Sequence, residues 1–71
     1  MKMTLEALRK QYERFSKMSE KRGRMYYDDA EDAKQKGIYE SANLYYSMAS
    51  AAFYEATVYM QVVNYLLKVT K

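Results

Sequence analysis

The chain has no cysteine, histidine, proline or tryptophan among its 71 residues, and it has only two glycines. Without cysteine there is no disulfide, and without cysteine and histidine the common ligands of a structural zinc ion are missing. The usual general base of enzymes and their most reactive nucleophile are missing for the same reason. We therefore expect a non-enzymatic protein that holds no metal and no cofactor.

The scarcity of proline and glycine leaves few points at which a helix must stop. Abundant Ala, Leu, Met, Glu, Lys and Arg, with apolar residues three and four apart, predict an all-α fold. Lys34 and Lys36 precede Gly37, and this order is typical of a helix C-terminus, because cations favour that end and glycine accepts a left-handed backbone. We predict an antiparallel helical hairpin that turns at Gly37.

The first arm has its own start and break signals. Thr4 is a candidate N-cap and Glu6 lies in the first turn. An apolar stripe then follows at helical spacing, formed by Leu5, Leu8, Tyr12, Phe15 and Met18. The stripe falters at Gly23 and resumes in another register, which predicts a kink or a break. We therefore expect one domain over residues 1–71 with three helices, at about 4–22, 24–36 and 39–69.

The second arm is almost free of charge, with Glu55 as the only charged residue between Glu40 and Lys68. Large and small residues alternate at a spacing of three and four: Tyr39, Ala42, Tyr46, Ala49, Phe53, Ala56, Met60, Val63 and Leu67. This pattern is typical of a helix that packs along its whole length. One neighbouring helix would leave two further apolar rows uncovered, the first formed by Leu44, Ala51, Val58 and Tyr65 and the second by Ile38, Tyr45, Ala52, Tyr59 and Leu66. We expect two hairpins to pair into a four-helix bundle, most simply as a homodimer.

A membrane-spanning helix is the competing interpretation of residues 44–67, because about 20 residues cross a bilayer. This segment, however, holds Glu55, Gln61, Asn64 and five tyrosines. A carboxylate in mid-bilayer costs about 3 kcal/mol. The first residues also lack the uninterrupted apolar segment of a signal peptide. We therefore expect a cytoplasmic protein that does not enter a membrane.

Residues 37–49, GIYESANLYYSMA, fit a Gly-x-Tyr-x-x-Ala-x-x-x-Tyr-x-x-Ala pattern at Gly37, Tyr39, Ala42, Tyr46 and Ala49. This resembles the second half of a tetratricopeptide repeat, and the hairpins of microtubule-interacting and trafficking domains look similar. Tyr26 and Ala30 suit the repeat's aromatic and small positions, which extends the resemblance over residues 26–49. Asp29 departs from the repeat's leucine position, and no proline closes the unit. The resemblance implies a close-packed helical hairpin that binds protein.

Tyrosine is the most unusual feature of the composition, at nine of 71 residues. Tyrosine brings a large contact area with few rotatable bonds, and methionine adds adaptable apolar contact, so both suit interfaces. Tyr12, Tyr26, Tyr39 and Tyr46 are expected inside the hairpin. The candidate protein-binding residues lie off the main packing row: Tyr27, Met48, Tyr54, Val58 and Tyr65. They predict an inhibitor, adaptor or regulatory subunit that covers a groove or displaces a helix on a larger protein.

Positive charge is concentrated in residues 1–27, with eight basic and three acidic side chains. Five cations fall within about 80° on one helical face: Lys10, Arg14, Lys17, Lys21 and Arg24. This basic stripe could follow a phosphate backbone, and a nucleic-acid-associated dimeric regulator is therefore the alternative function. Glu6, Glu13 and Glu20 lie beside the stripe and can pair with the cations four residues later. A solvated, ion-paired face is the simpler interpretation.

The acidic run DDAED offers the only candidate cation ligands. Asp28 shares a helical face with Glu31 and Asp32, but the run lacks the glycine and the spaced oxygen ligands of a calcium loop. We expect these residues to stabilise the first turns of a helix that begins after Gly23, with Asp32 paired to Lys36.

Overall fold

The computed structural model describes residues 4–69, which form two α-helices of 31 residues each, α1 (Leu5–Gln35) and α2 (Tyr39–Val69). The helices pack against each other along their length as a hairpin, with Cα extents of 51 × 21 × 13 Å. The predicted all-α hairpin is confirmed, and α2 has the predicted bounds. The outermost residues of the predicted domain, 1–3 and 70–71, lie outside the described range.

The helix ends follow from the residues found there. Thr4 is extended at φ −72°, and its hydroxyl accepts a 3.0 Å hydrogen bond from the N–H of Ala7, as an N-cap should. At the turn, Gly37 has φ +77°, and its N–H donates to the carbonyl of Lys34 at 3.0 Å. The N–H of Ile38 donates to the carbonyl five residues earlier, at 2.9 Å. These two bonds form a Schellman motif, so the predicted stop at Gly37 is confirmed.

The predicted break at Gly23 is wrong, because α1 continues through this residue and the hairpin has two helices instead of three. Gly23 is buried against α2, and a Cβ placed on it would lie 2.7 to 2.9 Å from three ring carbons of Phe53. Glycine is therefore needed here for close approach of a side chain, and not for a turn. Glycine makes a helix about 1 kcal/mol less stable than alanine does. This loss does not interrupt α1, because the helix packs on α2 along its length.

The buried contact between the helices, here called the seam, consists mainly of small residues. On α1 the buried residues are Ser16, Ser19, Gly23, Ala30 and Ala33. On α2 they are Ala42, Ala49, Ala52, Ala56, Val63 and Leu66. The predicted row of small residues on α2 is thus confirmed as the buried one. Small side chains let two helix backbones approach closely, so the stability of the hairpin depends on that approach being kept.

The predicted apolar stripe of the first arm is only partly correct. Tyr12 and Phe15 do pack on α2, with ring centroids 5.7 and 5.5 Å from that of Tyr59. Leu5 and Met18, in contrast, are 49% and 61% exposed. The middle of α1 contacts α2 through serine and glycine, and these residues carry no hydrophobic signal in a sequence. The large residues of the stripe therefore lie at the margin of the contact.

Polar bonds cross the seam near its middle. The hydroxyl of Ser16 donates to the carbonyl of Ala56 at 3.0 Å, and the hydroxyl of Ser19 donates to Oε1 of Glu55 at 2.8 Å. Arg22 donates to the same Oε1 at 2.8 Å. The Ser19 hydrogen bond, helped by Arg22, holds the pKa of Glu55 below its ordinary value against the opposing effect of desolvation. These bonds fix the register, because a shift along α2 would leave buried hydroxyls unpaired.

Candidate protein-binding surface

The candidate site is the side of α2 that faces away from α1, here called the outer face. Its residues occupy two adjacent seven-residue rows: Glu40, Ser47, Tyr54, Gln61 and Lys68 in one, and Leu44, Ala51, Val58 and Tyr65 in the other. At 100° per residue, Val58 lies 180° around the helix from Ala49, which is buried in the seam. Tyr54 is 72% exposed, Tyr65 65% and Leu44 61%. An apolar row from Leu44 to Tyr65, with Tyr54 beside it, therefore faces solvent.

The structure brings three of the five predicted protein-binding residues together. Tyr54, Val58 and Tyr65 share the outer face. Met48 is half-buried and lies about 20° around α2 from Glu55, on the flank where Glu55 meets α1. Tyr27 belongs to α1. The five residues therefore do not form one surface, and the outer face is the part that remains coherent.

Tyr27 lies on the opposite flank of the hairpin from Met48. Its ring meets that of Tyr46 edge-on, with centroids 5.6 Å apart. The hydroxyl of Tyr46 donates to Oε1 of Glu31 at 2.5 Å, and this bond, with a smaller contribution from desolvation, raises the pKa of Tyr46 to about 12. Tyr46 is thus held inside the hairpin, as predicted. Tyr39 was expected there too, but it is 65% exposed.

A cleft that sequence reasoning missed lies beside Tyr27. It is open, has a volume of about 360 Å³ and is lined by Arg24, Tyr27, Asp28 and Phe53. It borders the place where the ring of Phe53 lies over Gly23. The only signal in the sequence was the glycine itself, which was interpreted as a helix break. With one cation and one carboxylate on its wall, this cleft has no group that points to catalysis.

The basic stripe is exposed along its length and continuous, because α1 is not broken at Gly23. Its ends are ion-paired as predicted: Lys10 lies 3.6 Å from Glu6, and Arg24 lies 2.5 Å from Glu20. Glu13 pairs instead with Arg9, at 2.7 Å. Within residues 4–69, the remaining cations of the stripe have no carboxylate at ion-pair distance: Arg14, Lys17 and Lys21.

The acidic run DDAED lies near the C-terminal end of α1 and not in the first turns of a separate helix, so that expectation was wrong. Asp32 forms the predicted ion pair with Lys36, at 2.9 Å. Among the described residues, no group of three or more acidic side chains is arranged to hold a metal ion. Neither described helix contains a stretch long and apolar enough to cross a membrane.

Comparison of the chain with protein-family models, with curated proteins and with solved structures finds no match. The resemblance of residues 26–49 to a tetratricopeptide repeat therefore stays a prediction, and any function has to be argued from the geometry of the hairpin.

Proposed function

We propose that this chain is a non-enzymatic helical module that acts by binding protein, as an inhibitor, adaptor or regulatory subunit of a larger protein. The observation that carries the proposal is the exposed apolar outer face of α2, with Tyr54 72% and Tyr65 65% exposed. Soluble proteins rarely expose contiguous apolar surface, and where they do it marks an interaction site. We place the binding site on Leu44, Tyr54, Val58 and Tyr65.

The chemistry of the outer face suits a protein partner. Between Glu40 and Lys68 this face has no charged residue, because the intervening Glu55 points toward Ser19 and Arg22. Absence of charge and presence of tyrosine are the marks of an interface centre. Ser47 and Ala51 leave room between the larger side chains, so that another helix can approach. We infer that the partner presents a helix or a helix-binding groove.

The proposal includes self-association, most simply as a dimer. A chain of this size buries only about 60% of its extended surface on folding, which leaves a single core marginal. The described seam is narrow and consists largely of Ala, Ser and Gly. Covering α2 from a second side would add the apolar burial that the hairpin lacks.

Capture from cells that produce the protein tests the binding function. The bait is the wild-type chain, compared with a Tyr54→Ser/Tyr65→Ser variant and with Met18→Ser, which alters an exposed residue of α1. We expect a stoichiometric protein that wild type and Met18→Ser retain and the double variant loses. The captured protein, once purified, must then bind with the same order of affinities. Equal capture by all three baits would contradict the proposed site.

The basic stripe supports a second candidate function, a dimeric regulator that associates with nucleic acid. The supporting observation is that Arg14, Lys17 and Lys21 have no ion-pair partner among the described residues. Five phosphate contacts predict a slope of roughly −4.5 for log affinity against log salt, and replacing these three residues by Gln should reduce it by about 3 units. Affinity for duplex DNA that does not change between 50 and 200 mM salt would exclude this mechanism.

A further inference from the structure

The outer face of α2 is symmetric about its own midpoint. Glu40, Ser47, Tyr54, Gln61 and Lys68 repeat every seven residues, with Tyr54 at the centre of the row. The adjacent row, Leu44 to Tyr65, is centred between Ala51 and Val58, at nearly the same height. Charge occurs only at the two ends, with an acid in the first turn of α2 and a base in the last. Such a face complements a reversed copy of itself.

Two α2 helices packed antiparallel about Tyr54 bring matching residues to the same level. Leu44 then lies within about 1.5 Å of the level of Tyr65 of the second copy, and Ala51 within about 1.5 Å of the level of Val58 of the second copy. Glu40 lies level with Lys68 of the second copy at one end, and the two-fold axis repeats that pair at the other. A parallel arrangement instead places Glu40 beside Glu40 and Lys68 beside Lys68. Charge complementarity therefore selects the antiparallel dimer.

The exposed area of the hairpin is also large enough for such an interface. The chain exposes 5721 Å², whereas a compact monomer of its mass exposes about 4,600 Å². The excess of about 1,100 Å² is comparable to the roughly 800 Å² that each partner loses in a stable interface. An elongated hairpin that pairs along α2 would lose this excess.

The placement of Glu55 fits the same arrangement. Glu55 follows Tyr54 directly in the sequence and therefore lies near the height of the two-fold axis. If its side chain pointed to the outer face, the carboxylates of the two copies would repel each other there. Instead, Ser19 and Arg22 bind it at 2.8 Å on the flank of the hairpin. The middle of the outer face therefore has no like charges to oppose pairing.

We propose that the occupant of the outer face is a second copy of this chain, packed antiparallel about a two-fold axis near Tyr54, with a Glu40–Lys68 ion pair at each end. The two α2 helices form the centre of the dimer and the two α1 helices lie outside. This inference rests on the proposed function in taking the outer face as the docking surface, so a different protein that binds there displaces the second copy.

Sedimentation equilibrium with two matched variants tests which face pairs. Leu44 on the outer face and Met18 on α1 are both 61% exposed, so Leu44→Ser and Met18→Ser remove similar exposed apolar groups. Each dimer loses two copies of the altered side chain. We expect Leu44→Ser to raise the dimer dissociation constant at least about tenfold and Met18→Ser to leave it within about twofold. Circular dichroism is the control that checks whether both variants remain helical.

A charge exchange tests the orientation. Glu40→Lys and Lys68→Glu should each weaken their own homodimer by about three- to tenfold at low salt, because every end then carries like charges. An equimolar mixture of the two variants should form a heterodimer of near wild-type affinity, since both ends become complementary again. High salt should remove these differences.

Each outcome decides the inference. Loss of pairing in Leu44→Ser, together with homodimers of the two charge variants that are weaker than wild type and a mixture that is rescued, supports it, whereas charge-variant homodimers as tight as wild type overturn the antiparallel orientation. A monomeric wild type, a dimer that Leu44→Ser leaves unchanged, or a mixture that is not rescued overturns it. The proposed function fails separately: it is lost if no other protein binds through Tyr54 and Tyr65, and it survives if a monomeric chain captures one through those residues.

Discussion

The two helices of the hairpin have the same length, 31 residues, but very different outer surfaces. The far side of α1 carries the basic stripe, Lys10 to Arg24, and exposing these charged side chains to water costs little free energy. The far side of α2 carries Leu44, Tyr54, Val58 and Tyr65, for which exposure to water is unfavourable. After the two helices have packed, the far side of α1 is thus mainly charged, whereas the far side of α2 keeps an exposed apolar row, which we propose a second copy covers.

The largest expected effect separates the seam from the outer face by one substitution made at two positions. Ala49 is 3% exposed in the seam, while Ala51 is exposed on the outer face. Ala49→Leu should destabilise the hairpin by about 1 to 3 kcal/mol through overpacking, and Ala51→Leu by less than about 0.5 kcal/mol. Urea unfolding at a chain concentration low enough to dissociate a dimer measures both. Equal losses would mean that the two faces are not distinct.

A smaller effect is expected at Gly23, where the seam replaces the predicted break. Alanine is about 1 kcal/mol better than glycine inside a helix, but its Cβ would meet the ring of Phe53. Gly23→Ala should therefore gain about 1 kcal/mol in a Phe53→Ala background and clearly less in the wild type. Thermal unfolding of the wild type, the two single variants and the double variant gives the coupling free energy between positions 23 and 53.

The control for this cycle is helix content. Because α1 is already continuous, Gly23→Ala should leave the circular dichroism signal unchanged. A rise in helicity together with an equal gain in stability in both backgrounds would support the predicted break at Gly23 and contradict the close approach of Phe53.

The smallest effect concerns pH. The pKa of Glu55 is lower in the folded chain than its ordinary value of 4.5, mainly because Ser19 donates to it, with Arg22 and the Tyr59 hydroxyl also contributing. The stabilisation is therefore present above about pH 4.5 and is lost as the pH falls below it. Between pH 6 and pH 3 the Tm of wild type should fall further than that of Glu55→Gln. Parallel curves of Tm against pH for the two proteins would show that the Glu55 carboxylate does not contribute to the pH dependence of stability.

Much of the fold could be predicted from the sequence, because its signals were local. Gly37 after two lysines marked the turn, and the 3-4 alternation from Tyr39 onward gave the bounds of α2. The break at Gly23 was mispredicted, since a glycine that admits a ring from another helix looks the same in sequence as one that ends a helix. The serines of the seam were missed for a related reason: their hydroxyls become satisfied only by Ala56 and Glu55 across the pair.

The candidate site was predictable in part. Tyr54, Val58 and Tyr65 could be placed on one face because that face is set by helical periodicity alone. Tyr27 and Met48 could not be assigned correctly, because their flanks depend on how α1 is rotated against α2. Small seam residues decide that rotation, and hydrophobicity does not reveal them.

The solution mass over a hundredfold dilution, measured by light scattering, tests most directly whether the outer face of α2 is covered by a second copy. The account predicts twice the chain mass of 8.4 kDa at high concentration, with a reversible decline on dilution. A mass of 8.4 kDa throughout the range would contradict it, because the outer face would then be stable in water without a partner.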